Sequence, residues 1–172
     1  ARASSPRGGR GGPPPGGAAW RVRVASGAVS EITASLPPGL TDEQRDFVAA
    51  LREFCEREVG TREQRERLTN GFTEFHNQGL YEKLAELGWL GVSIDERWGG
   101  SGGGMVDACL FLEEIARGLV PIAGYGVSLI VANAYKRFGT DAQKQEILGG
   151  IARGRVEAIA MSEPGAGSDV AS

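Results

Sequence analysis

Histidine is almost missing from this chain of 172 residues: His76 is the only one. Cysteine is nearly as scarce, with Cys55 and Cys109 far apart in the sequence. His76 has no cysteine or acidic neighbour that would suggest a metal site or a catalytic triad, so no metal is expected. It reads as a surface residue at the start of a helix. Both cysteines fall in helix-like apolar patterns, where such residues are usually small buried hydrophobes. A reducing, cytoplasmic setting fits them better than a secreted one. Long apolar runs are missing too. The most apolar stretch, Leu119–Tyr135, is 17 residues long and is interrupted by Pro121, Gly124, Gly126, Ser128 and Asn133. It is too short and too broken for a membrane span and reads as a buried helix. No apolar region follows the basic N-terminus, so a secretory signal is not visible.

Acid is absent from residues 1–28, which carry five Arg, seven Gly and four Pro. The rest of the chain then holds 14 basic and 22 acidic residues. A body this acidic has no electrostatic footprint for nucleic acid, and no membrane partner is expected. Residues 1–28 could bury little to offset the entropy of ordering them, so a disordered basic Gly/Pro-rich tail is expected over 1–39. Val29 opens a segment that would suit translation from a Val codon, which would make residues 1–28 translated upstream sequence. The chain starts at Ala1 and stops in mid-pattern at Ser172, which suggests a fragment.

From Thr41 onward helix signals are dense. Thr41 and Gln44 form a capping box, with Asp42 and Glu43 suited to the helix dipole. Phe47, Leu51, Phe54 and Cys55 recur at helical spacing, predicting a helix over Asp42–Val59. The charged residues of 60–71 read as a solvated helix extension or a loop. A second helix is expected over Asn77–Leu87, closed by Gly88. Trp89 to Ile94 alternates too briefly to define a strand. The run Trp98 to Gly104 contains no Gly-x-Gly-x-x-Gly and no following Lys-Ser or Lys-Thr, so a phosphate loop is rejected in favour of a flexible connection. A third helix, Met105–Arg117, puts Met105, Ala108, Cys109, Leu112 and Ala116 on one stripe, widened by Val106 and Phe111. Gly118 and Pro121 then break the chain. A fourth, Ile122–Phe138, is apolar on most sides and should sit inside the bundle. Thr140 and Gln143 repeat the capping box before a fifth, ending near Ala152.

The fold expected is mainly α: an all-α domain over 40–155, then the first strand of a β-domain over 156–172. Val156–Ser162 is a short apolar run that suits a strand. Beyond it, Gly165, Ala166 and Gly167 let a backbone approach a ligand closely with amide donors exposed. Pro164 holds Glu163 extended. Ser162 and Ser168 supply hydroxyls, and Asp169 can accept from nearby amides. As isolated chemistry this is a loop suited to an anion, or simply a turn.

Taken whole, the segment resembles the first signature of the acyl-CoA dehydrogenase family, on Ala160, Met161, Ser162, Glu163, Ala166, Gly167, Ser168, Asp169 and Ser172. The resemblance continues upstream through Leu40–Gln44, Leu84–Gly91, Trp98–Gly100, Leu112–Arg117 and Phe138–Lys144, and so covers about residues 40–172. Trp98 departs from the Tyr or Phe more usual there. The resemblance implies an FAD flavoenzyme, homo- or heterotetrameric, with helical, β and four-helix-bundle domains. It implies acyl-CoA as substrate, oxidation to the trans-2-enoyl-CoA, and an electron-transferring flavoprotein as acceptor. Carried over, Ile159, Ala160, Met161, Ser162, Glu163, Pro164, Gly165, Ala166, Gly167 and Ser168 would line the flavin. Met161 and Ser162 would lie at its pyrimidine edge, and Ser168 where phosphate and acyl-CoA groups converge. Glu163 is structural in the family. The catalytic base is a glutamate of the C-terminal domain, expected beyond Ser172, so no catalytic residue is assigned here. An acyl-CoA oxidase, a non-catalytic paralogous subunit and an all-α interaction module are the other readings.

Overall fold

The computed structural model describes residues 36–169. The expected tail lies almost wholly outside the described residues, as does the Ser172 match. Within them the chain is mainly α. The helices are α1 Asp42–Val59, α2 Arg62–Leu68, α3 Gln78–Glu86, α4 Met105–Arg117, α5 Gly124–Phe138 and α6 Asp141–Ala152, with two 3-10 turns at Trp89–Gly91 and Glu96–Trp98.

Three helices begin as the sequence demands. Thr41 accepts from the Gln44 amide and Gln44 reaches back to the Thr41 amide, and the Thr140–Gln143 pair does the same for α6. The third box, Thr61 with Gln64, was not foreseen in the charged stretch. It makes α2 a separate helix that buries none of its side chains. Gly88, at φ 75°, supplies the left-handed turn after α3.

α1 packs on α4, and α5 packs on α6, which also meets both 3-10 turns. The larger core gathers Phe47, Leu51 and Phe54 of α1, Tyr81 and Leu84 of α3, Phe111 and Ile115 of α4, and Trp89. The Trp89 ring receives Phe47 and Phe54 edge-on, at 5.9 and 5.5 Å between centroids. A smaller core joins Ile94, Ala132, Leu148, Ile151 and Ala152.

Four expectations need correction. The inward stripe of α4 is Ala108, Leu110, Phe111, Glu114 and Ile115, while Met105, Val106, Cys109, Leu112 and Ala116 are exposed. The helix is rotated because Glu114 occupies a core position, where Arg52 of α1 binds it through both carboxylate oxygens at 2.9 and 2.7 Å. Cys109 is therefore an exposed thiol, and only Cys55 is buried. α5 buries Tyr125, Ser128, Val131 and Ala132 but leaves Ile130 and Phe138 uncovered among the described residues. It forms a side of the bundle and not its centre.

The fourth correction concerns the glycine run, which is no slack connection. The amides of Gly99, Gly100, Ser101, Gly102 and Gly103 donate to the carbonyls of Glu96, Asp95, Gly91, Ile94 and Val92, respectively. The Gly104 amide donates to Asp107 Oδ2. A Cβ on Gly100 would fall 2.1 Å from the Ile94 oxygen, so the close approach itself requires glycine. With every amide from 99 to 104 committed internally, none is left to cradle a phosphate, in line with the rejection of that motif.

Candidate functional site

α6 delivers the chain to the candidate segment. Gly154, at φ 94°, turns it out of the helix. The next three residues are each held. The Arg155 amide donates to the Gly150 carbonyl at 2.9 Å, and its guanidinium meets the Glu157 carboxylate. Val156 lies against Gly124 of α5. The Glu157 amide donates to Ser128 Oγ at 2.9 Å.

From Ala158 the chain leaves the helical body. No strand ladder forms over 156–162 among the described residues. The run contains Val156, Ile159 and Met161, at 42%, 44% and 56% exposure. A strand's edge groups need a neighbouring strand, and among the described residues none lies beside this run.

At the end of this run the chain reverses. The Glu163 amide donates to the Ala166 carbonyl at 2.9 Å, and the Ala166 amide donates back to Glu163 at 3.1 Å. Pro164 and Gly165 are the two residues between. Proline fixes φ near −65°, which excludes a primed turn, and Gly165 does not take a positive φ. The turn is therefore of the type I kind. Glu163 starts it through its backbone, with its side chain in solvent.

The predicted site residues fall into one continuous hook. Ile159 to Gly165, Gly167 and Ser168 are exposed, and Ala166 is half-buried. Within the described residues, the amides of Gly165, Gly167 and Ser168 have no backbone acceptor. A Cβ built on Gly165 or Gly167 meets no atom within 4 Å, so a ligand could reach the backbone unobstructed. The hook thus combines an apolar approach at Ile159 and Met161, a hydroxyl at Ser162 and open amides beyond the turn. An isoalloxazine ring has an apolar body and a hydrogen-bonding pyrimidine edge, and an attached diphosphate needs N–H donors. The residues present fit a flavin nucleotide on these grounds.

Sequence reasoning missed a buried polar cluster behind the hook. Tyr81 and Tyr125 are buried; the Tyr125 hydroxyl has no hydrogen-bond partner among the described residues, and the Tyr81 hydroxyl faces Ser128. Burial pushes both phenols above their ordinary pKa, and the neighbouring Tyr81 adds to the rise at Tyr125. Ser128 is wholly buried beside them. His76 is half-buried and not a plain surface residue, because its backbone bridges to Ile122. Its ring stands edge-on to Tyr81, with centroids 4.9 Å apart. Nδ1 is aimed at the Gly124 amide at 3.5 Å, and Nε2 at Gln78 Oε1 at 3.2 Å. Two tyrosines in otherwise apolar helical patterns gave no sequence signal that their hydroxyls would be buried. Within the described residues no group of three or more potential metal ligands forms, and no helix is long and apolar enough to cross a membrane.

A helical domain followed by an exposed Gly/Ser hook is the class of object the fold and site define. Residues 41–155 match the family described as acyl-CoA dehydrogenase, N-terminal domain. The chain belongs to the acyl-CoA dehydrogenase family. It is 34% identical over 165 residues to the mitochondrial isovaleryl-CoA dehydrogenase of Pongo abelii, an alignment covering 90% of this chain and 38% of that protein. Among solved structures it is similar to butyryl-CoA dehydrogenase from Megasphaera elsdenii, with a TM-score of 0.60, 30% identity, and coverage of 78% of this chain and 36% of that one. A chain of the ChsE4-ChsE5 complex from Mycobacterium tuberculosis gives a TM-score of 0.60 at 29% identity, covering 78% of this chain and 34% of that one. The chain therefore spans well under half the length of the relatives it matches.

Proposed function

We propose that this chain is the N-terminal part of an FAD-dependent acyl-CoA dehydrogenase that converts an acyl-CoA thioester to its trans-2-enoyl-CoA. Support comes from the family match over 41–155 and, above all, from the open hook of residues 159–168, whose backbone donors and apolar side chains suit a flavin. Bound FAD would supply the two-electron acceptor for desaturation. Ile159 and Met161 would give the ring an apolar surface, and Ser162 would hydrogen-bond its polar edge. Gly165 and Gly167 would let their amides come close to phosphate oxygens. Ser168 would serve where the cofactor and the acyl-CoA meet. Glu163 has a turn to hold and an exposed carboxylate. On this reading the proton-abstracting glutamate belongs to a later segment, and the chain alone is inactive.

The same proposal includes an electron-transferring flavoprotein as acceptor, a tetrameric assembly, and a cytoplasmic setting consistent with two free thiols. Similarity to a chain of a two-protein complex favours a second reading, in which this chain is a non-catalytic subunit paired with a catalytic paralogue.

The test is to purify the product of the complete gene and follow its flavin absorbance under anaerobic addition of short, branched and long acyl-CoAs. Bleaching by any of them is the expected result and identifies the substrate class. A flavin that binds but never bleaches favours the non-catalytic subunit, and a colourless product contradicts both readings.

A further inference from the structure

Among the described residues the backbone bonds within the hook join Glu163 and Ala166 and close a local turn, so its direction is set where it leaves the helices. Three contacts act there on consecutive residues. A Cβ on Gly150 would fall 2.7 Å from the Arg155 guanidinium, which lies over that glycine. A Cβ on Gly124 would fall 2.7 Å from Val156 Cγ1. Ser128 Oγ donates to the Gly124 carbonyl at 2.9 Å and accepts the Glu157 amide at the same distance.

The first of the Ser128 bonds is the ordinary back-bond of a helical serine. The second is not, because it reaches a separate segment. Ser128 has no exposed surface, so water does not compete for that bond. Glu157 lies two residues before Ile159. From Glu157 to Ser162 an extended chain covers roughly 17 Å, so a tilt of about 10° at Glu157 would move Ser162 by about 3 Å. A displacement that large would separate a hydrogen-bonding hydroxyl from its partner.

We propose that Ser128 is a positioning residue for the flavin site: through the Glu157 amide, its hydroxyl fixes the angle at which residues 159–168 leave the helical body. The inference rests on the flavin reading above. Gly124 serves the same end, since its missing side chain lets Val156 lie flat on α5.

The experiment uses the product of the complete gene and two variants. Ser128→Ala removes the acceptor while keeping a good helix former. Gly124→Ala keeps the hydroxyl but pushes Val156 away. Three quantities are read: hydrogen exchange at the Glu157 amide, retention of FAD, and visible circular dichroism of the bound flavin. The dichroism reports the asymmetry around the ring, which a loss of general stability would not change. Both variants are expected to exchange Glu157 faster, to hold FAD about tenfold more weakly and to alter the dichroism in the same direction. A yellow wild type whose Ser128→Ala variant keeps the same FAD retention and dichroism overturns this inference alone. A colourless wild type overturns the flavin reading, and the inference with it.

Discussion

Glu114 shows how one residue can set the orientation of a helix. At 3% exposure it is the only buried carboxylate among the described residues. Arg52 grips both its oxygens, and Arg117 stands 3.6 Å from one of them. The hydrogen bond to Glu114 raises the Arg52 pKa, so the guanidinium stays charged. Neutralising this buried carboxylate takes away the charge that Arg52 grips at both oxygens. Glu114→Gln should therefore cost about 3 kcal/mol, read as a lower urea midpoint. The two thiols differ as sharply. Burial, reinforced by Glu114 and Glu56, raises the Cys55 pKa to about 11, while Cys109 is exposed. A thiol reagent at neutral pH should label Cys109 alone, with Cys55 reacting only on unfolding. In the unfolded chain Cys55 ionises near its ordinary value of 9.0. Its contribution to stability is thus complete below that pH and is lost as pH rises towards about 11.

At the scale of elements, helix caps separate local from global stability. Thr140→Ala removes the cap of α6, whose C-terminal half is buried, and should lower global stability by about 1 kcal/mol. Thr61→Ala removes an equivalent cap from α2, which buries nothing. It should speed amide exchange within α2 and leave the unfolding midpoint nearly unchanged. The starts of α1 and α6 were legible because a capping box is local chemistry, written in residues three apart, whereas the same box at Thr61 was hidden in a charged stretch. The α4 range was readable from its apolar spacing and from Gly118 and Pro121 beyond its end. The facing of α4 was not, because hydrophobicity alone places Met105 and Cys109 inside and Glu114 outside, whereas a partner 62 positions away reverses that order. The glycine run was misread in a similar way. Composition suggests slack, but the carbonyls that tie it down lie in the preceding turns. The hook was legible as residue types in sequence. Its dependence on Ser128 was hidden, since a buried serine in an apolar helix looks like any small residue.

At the scale of the whole molecule, the chain presents an apolar segment that its own helices do not cover. Val156, Ile159 and Met161 are exposed on it, and Ile130 and Phe138 are exposed on α5. Such a surface favours self-association. The 172-residue chain expressed alone should be helical, poorly soluble and colourless; a soluble yellow product with tightly bound FAD would contradict this. The central claim is that residues 159–168 form the part of this chain that meets the flavin. The most direct measurement is hydrogen exchange by mass spectrometry on the product of the complete gene, stripped of cofactor and then reloaded with FAD. Peptides covering 159–168 should become strongly protected on reloading, while those covering the glycine run at 99–104 should change little. Protection of the glycine run with an unchanged hook would contradict the claim.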